Sequence, residues 1–286
     1  DPFGLFPVEH LYPPRESLLV YPMLVDVHEF PSPAGVLPGG EALRRRTPQV
    51  TPNAAGVREY APGDSMNRIH WVSTARRNRL MTKEFELDPQ AEVWIILDAS
   101  ETGQASVPFT WPKRTKEDLW KHKFEFTLPP ATEEYGVSIA ASVARYYLGK
   151  GRSVGFITSG QVRTMIPPDR GGRQLGKILE SLALLRAEGK LPIWGLMDIQ
   201  AQHLARGSTI VMITHSVEQE VLMATDFLAR RGLRPVVVLI DAASFNGPEG
   251  TGELADGLRY MRIPLRIVKR GDDITNALSF ELQLGR

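Results

Sequence analysis

Two spacings of apolar residues divide the chain. From residue 91 onward, short continuous apolar runs alternate with stretches of helical periodicity. AEVWIILD (91–98) is apolar throughout and ends in a carboxylate, as a strand buried on both faces of a parallel sheet does. Val137, Ala140, Ala141, Ala144, Tyr147 and Leu148 then fall on one helical face, closed by Gly149 and Gly151. SVGFITSG reads as a strand and a turn into QVRTMIP. Leu175, Ile178, Leu179, Leu182 and Leu185 mark a second helix. A connector with Trp194 and His203 leads to the strand STIVMIT. Val217, Val221, Leu222, Thr225 and Leu228 mark a third helix. It ends at Arg230-Arg231-Gly232, where cations suit the helix dipole and Gly the C′ position. PVVVLID, a helix near 250–261 and PLRIVKR complete the alternation. Parallel strands need crossovers, and helices of this length supply them. The predicted fold over 91–286 is a doubly wound, mostly parallel α/β sheet of about six strands.

Residues 1–90 lack that alternation. PFGLFP, YPP, PSPAG, LPGG and TPQVTPNAAG crowd turn signals into 1–57 and leave no room for a long helix. SLLVYPMLVDV (17–27) reads as an edge strand, because Pro22 removes a ladder donor. LMTKEFEL (80–87) alternates as a half-buried strand does. Arg44-Arg45-Arg46 is a solvated loop run or a contact for phosphate or lipid headgroups. The division expected is an extended, β-type segment over 1–90 and an α/β domain over 91–286, with an insertion at 101–130.

Composition narrows the function. Among 286 residues, Lys plus Arg is 34 and Asp plus Glu is 33, so no global basic excess neutralises phosphates, and no nucleic-acid partner is expected. Zero Cys removes disulfides, iron–sulfur clusters and thiolate zinc sites. No run of 18 apolar residues would span a bilayer. The chain opens with Asp1, so a preceding segment is expected.

Open α/β sheets bind ligands at the carboxyl ends of their strands. The polar residues there are Asp98-Ala99-Ser100-Glu101-Thr102, Thr158-Ser159-Gly160, Thr214-His215-Ser216 and Asp241. They form a site or cap the following helices. Gly151-Arg152-Ser153-Val154-Gly155 fits G-x-S-x-G but runs helix–turn–strand, the wrong order for a nucleophile elbow. Gly171 to Lys177 lacks the hydroxyl of a phosphate-binding loop, since Ile178 stands in its place. His residues without Cys or acidic companions argue against catalytic zinc. The insertion mixes Phe109, Trp111, Trp120, Phe124 and Phe126 with Lys113, Arg114, Lys116, Lys121 and Lys123. Aromatic and basic together suit a protein hot spot or a membrane surface, against a loop folded onto its own domain. A protein partner ranks first and nucleic acid last.

VREYAPGDSMNRIHWVSTARRNRLMTKEFE (57–86) carries Arg58, Tyr60, Pro62-Gly63-Asp64, Arg68, Ile69, Trp71, Ala75-Arg76 and Lys83-Glu84. This resembles the signature of the bacterial domain of unknown function 58 family. DPFGLF, VYP, IAASVARYYLGKGRSVGFIT and LARGSTIVMIT are similar to that family as well. The resemblance implies a von Willebrand factor A-like fold. It also implies an upstream membrane anchor in a bacterial cell membrane, with this part on the cytoplasmic side. The implied partner is a MoxR-type AAA ATPase or its client, in assembly or chaperone-like work without an established reaction. A von Willebrand A domain carries an Asp-x-Ser-x-Ser metal site, which Asp98, Ser100 and Thr102 match as possible Mg²⁺ ligands. Arg173 stands where a Thr is expected and His215 where an Asp is, so a degenerate site with Arg173 neutralising Asp98 is preferred. No cofactor is expected. The residues themselves read as a clasp, with Asp64 and Glu84 pairing Arg58, Arg68 and Arg76 under a buried Trp71, or as a partner site. The expectation is a non-enzymatic interaction scaffold meeting its partner through Trp111, Trp120, Lys113, Arg114, Arg173 and His215. The alternatives are a Mg²⁺-dependent adhesion module and a hydrolase using Asp98, Ser100 and His215.

Overall fold

A computed structural model describes residues 18–31, 54–61, 64, 66, 69–85, 92–110 and 127–279. Its center is a six-stranded sheet: β3 (Val93–Leu97), β4 (Val154–Ser159), β5 (Arg163–Asp169), β6 (Thr209–Thr214), β7 (Arg234–Ile240) and β8 (Leu265–Val268). The spatial order is β5-β4-β3-β6-β7-β8, parallel except for the β4–β5 hairpin. The chain therefore starts in the middle, winds to one edge, then crosses and winds to the other. This is the doubly wound, mostly parallel α/β sheet that the alternation of apolar runs predicts.

The continuous apolar runs follow from burial on both faces. Val93, Ile95 and Leu97 face a core shared with α2 (Thr132–Gly149), α3 (Gly172–Ala183) and α7 (Ile274–Leu278). Trp94 and Ile96 face the opposite core, with α4 (Ile193–Gln200), α5 (Glu220–Arg230) and α6 (Thr251–Tyr260). The strand period of two divides one apolar run between two layers. Burying each such side chain contributes about 1.5–3 kcal/mol, which is why β3 carries no polar residue before its end. The proline-rich RTMIPPD occupies the outer strand β5, where missing donors cost no ladder bond on the solvent side.

The N-terminal region departs from expectation. Residues 18–31 are not a strand but an irregular strap along α2. The Val25 amide donates to Ser142 Oγ, the Met23 carbonyl accepts from Ser138 Oγ, and the Pro31 carbonyl accepts from the Tyr147 hydroxyl. Hydroxyls on one helix face thus satisfy backbone groups that a sheet would otherwise have taken. The connector with Trp194 and His203 contains α4, and the exposed His203 ends a 3₁₀ turn, Ala201–His203, whose Ala201 is buried.

A separate two-stranded antiparallel sheet joins β1 (Ala54–Glu59) and β2 (Met81–Phe85), with α1 (Trp71–Arg77) between them. Buried Ile69 and Met81 fill its interior, and α1 buries none of its residues. Trp71, expected as a buried lid, is instead 65 % exposed on the first turn of α1. His70 caps that helix, its side chain accepting from the Ser73 amide at 3.1 Å. Asp64 pairs with Arg58 at 2.6 Å and accepts from the Ala61 amide at 3.0 Å, closing the turn on itself. Arg76 lies exposed in the last turn of α1, while Arg68 and the Glu84 side chain fall outside the described residues.

Candidate functional site at the carboxyl edge

The order of the sheet fixes where a site can form. The chain leaves β3 toward α2 on one face and leaves β6 toward α5 on the other, so a crevice opens between the ends of these two neighbours. Asp98 follows β3, and Thr214 ends β6.

Asp98 is 6 % exposed, and both its oxygens are occupied. Oδ1 accepts from the Ser100 hydroxyl at 2.7 Å and from the Ser100 amide at 3.1 Å. Oδ2 accepts from the Thr214 hydroxyl at 2.6 Å. The Thr214 oxygen in turn accepts from the Ser216 amide at 3.0 Å, passing the contact into the turn that precedes α5. Hydrogen bonds to an ionised acceptor are roughly twice as strong as neutral ones, so this carboxylate ties the two central strand ends together.

The surrounding loops close over this pair. His215 is 2 % exposed, and its Nε2 lies 3.0 Å from the Thr102 carbonyl oxygen, to which the Nε2–H tautomer donates. The Gly189 amide donates to Ala99 O and the Glu101 amide to Gly189 O, at 2.9 and 2.7 Å. A Cβ on Gly189 would meet the Ser159 carbonyl oxygen at 1.9 Å, so only glycine permits this approach. Glu133 on the first turn of α2 accepts from the Ala187 amide at 3.0 Å and fixes the same loop. Asp241, at the end of β7, stands apart and accepts from Thr251 on α6 at 2.8 Å.

Asp98, Ser100 and Thr214 come together, with Thr102 and His215 as a second layer. Arg173 does not join them. The antiparallel β5 carries the chain back to the amino edge, where Asp169 pairs with Val154, and α3 begins there with Arg173 exposed. The expectation that Arg173 neutralises Asp98 is thereby corrected: the loop approaching Asp98 is the one after α3, around Gly189. His215 is corrected as a surface contact as well, since its ring is enclosed. Thr214 was visible as a polar strand end but not as the partner of Asp98. Its proximity depends on β6 lying beside β3, which spacing alone does not reveal. Trp111, Trp120, Lys113 and Arg114 lie outside the described residues.

The donor set does not fit Mg²⁺ well. It offers one carboxylate and two hydroxyls, and both carboxylate oxygens already accept from those hydroxyls. Mg²⁺ takes six oxygen ligands in octahedral geometry, several of them waters, and needs free lone pairs on the carboxylate or hydroxyls that hold it. Thr102 meets the group through its carbonyl, toward His215, with its side chain exposed. Among the described residues, no group of three His, Asp or Glu could hold a metal. In the hydrolase arrangement Ser100 Oγ donates to Asp98 and His215 Nε2 lies against the Thr102 carbonyl, so the hydrogen bonds of these two side chains run to other partners than each other.

The crevice and its topology define a doubly wound α/β domain with a polar switch point. Residues 56–119 match the family model described as protein of unknown function DUF58. The uncharacterized protein YeaD of Bacillus subtilis is 24% identical over 276 residues, 95% of this chain and 61% of YeaD. The chain is thus similar to the DUF58 family over that segment and to YeaD over most of its length. The uncharacterized protein Rv1480 of Mycobacterium tuberculosis is 26% identical over 129 residues, 45% of this chain and 34% of Rv1480. The chain thus spans about three-fifths of the one relative's length and matches about a third of the other's. The crystal structure of the conserved hypothetical protein BatB from Bacteroides thetaiotaomicron covers 66% of this chain and 95% of its own, at 14% identity and a TM-score of 0.42. A likeness that low carries no argument. Among the described residues, no helix is long and apolar enough to cross a membrane.

Proposed function

We propose that this protein is a non-enzymatic interaction scaffold that presents its carboxyl-edge loops to a protein partner. The observation that carries this reading is the closed hydrogen-bond circuit of Asp98. A buried acid with every oxygen satisfied holds loops in place rather than performing chemistry. The same edge anchors the base of the 101–130 insertion. Ser106 bridges Ala131, the Val107 amide donates to Pro130 O at 2.9 Å, and the Thr132 hydroxyl donates to Gln104 Oε1 at 2.5 Å. The flanks of the insertion, 104–107 and 130–132, thus lie side by side. Its sequence supplies Trp111 and Trp120 as anchors among Lys113 and Arg114. Interface energy concentrates in a few such aromatic and Arg residues.

The partner favoured by the family resemblance is an AAA-type ATPase or its client, met at the cytoplasmic side of a bacterial membrane to which an upstream segment anchors the protein. A Trp111→Ala, Trp120→Ala double variant tests the reading, assayed for melting temperature and for capture of partners from membranes by the intact protein. Lost capture with an unchanged melt supports it. A lowered melt with full capture contradicts it and assigns these aromatics to the domain's own packing.

A further inference from the structure

The β1–α1–β2 unit holds an open cleft of about 430 Å³ lined by Val57, Arg58, Glu59, Arg77, Arg79 and Met81. Its lining thus holds three arginines, one glutamate and two apolar residues, of which Met81 is buried. Two of the three are set in place. Arg58 donates to Asp64 Oδ1 at 2.6 Å and to its neighbour's carbonyl, Glu59 O, at 2.9 Å. Arg79 donates to Glu59 Oε1 at 2.8 Å. Arg77 differs: it is exposed in the last turn of α1, and among the described residues no acid pairs with it. The Asn78 left-handed cap, at φ 49°, turns the chain immediately after it and brings Arg79 back to the same cleft.

We propose that this cleft binds an acidic peptide segment of a partner protein, with Arg77 as the guanidinium that takes an incoming carboxylate. The cleft already pairs guanidinium with carboxylate twice, through Asp64 and Glu59, so its own chemistry displays the recognition. Its volume accommodates several side chains, and half-buried Val57 offers apolar contact to the methylenes of a Glu, which a free phosphate does not use. A planar guanidinium fork suits a carboxylate bidentately where an ammonium does not. This surface lies on a different sheet from the Asp98 crevice, so it extends the scaffold reading without sharing its residues, and either reading can fail alone.

The test is fluorescence anisotropy of a labelled ten-residue peptide of alternating Glu and Leu, titrated with the 286-residue chain at low salt. Saturable binding is expected, weakened about three- to fivefold by Arg77→Gln, the scale of one exposed guanidinium–carboxylate contact. Arg206→Gln, at an exposed site in the other sheet's domain, should leave it unchanged. Raising the salt should weaken it further. Arg77→Lys keeps the charge at the end of α1, so it should keep the parent melt and still bind the peptide more weakly. No saturable binding, equal binding by Arg77→Gln, or an equal loss in Arg206→Gln overturns the proposal. So does inorganic phosphate displacing the peptide at concentrations where chloride does not, which assigns the cleft to phosphate instead.

Discussion

The carboxyl edge of the large sheet and the arginine cleft of the small one use charge in opposite ways. At the edge, Asp98 is buried and all of its hydrogen-bonding capacity is spent inside the domain. In the cleft, Arg77 and Arg79 are exposed, and one of them lacks an acidic companion among the described residues. A buried charge without partners is costly, so the edge had to be self-satisfied to exist at all. Exposed guanidinium groups face no such demand, since water serves them until a ligand arrives. The polar cluster that looks most like an active site is therefore the more structural of the two.

Changes at the edge should be the most damaging. Gly189→Ala forces a Cβ into the Ser159 carbonyl and should destabilise by about 3 kcal/mol or more, or prevent folding, as read by chemical denaturation. Asp98→Ala strands the Ser100 and Thr214 hydroxyls and the Ser100 amide. It should cost about 2–4 kcal/mol, at the rate of about 1–3 kcal/mol for each buried group left unsatisfied, partly relieved by relaxation. Asp64→Ala should cost only about 1–2 kcal/mol, because the Arg58–Asp64 pair is partly exposed, with side-chain exposures of 39% and 15%. A loss of 3–5 kcal/mol there would show the pair to be fully buried. Tyr147→Phe removes the hydroxyl that holds the Pro31 carbonyl and should cost about 1 kcal/mol, with faster proteolysis in 18–31 as its signature. Trp71→Ala, at an exposed site, should change the melt by less than about 0.5 kcal/mol equivalent.

The same contrast explains what the sequence reveals. Continuous apolar runs betray strands buried on both faces, so the six strands, α2, α3, α5 and α6 are readable, and Asp98, Ser100 and Thr214 stand out as polar residues at their ends. Helix α4 is short and follows Pro192, and IWGLMDIQ buries five of its eight residues, so no clean amphipathic stripe announces it. Arg173 lies away from Asp98 because the reversal at residues 160–162, from β4 into antiparallel β5, exchanges one edge of the sheet for the other, a change of direction that the pattern of each strand does not reveal. The strap at 18–31 has the composition of a strand, but its backbone is claimed by Ser138, Ser142, Tyr146 and Tyr147, a choice that only tertiary proximity decides. Trp71 has the size and apolarity of a core residue. The seven-residue helix that carries it buries nothing, because Ile69 and Met81 already fill the small interior.

The central claim is that the Asp98 crevice is a closed hydrogen-bond lock between β3 and β6 rather than a metal center, and calorimetric titration with Mg²⁺ and Mn²⁺ tests it most directly. The account predicts no saturable heat at metal concentrations up to about 1 mM, the range of weakly held hard cations. Micromolar binding by the parent protein, abolished by Asp98→Asn in a variant that remains folded, would contradict it.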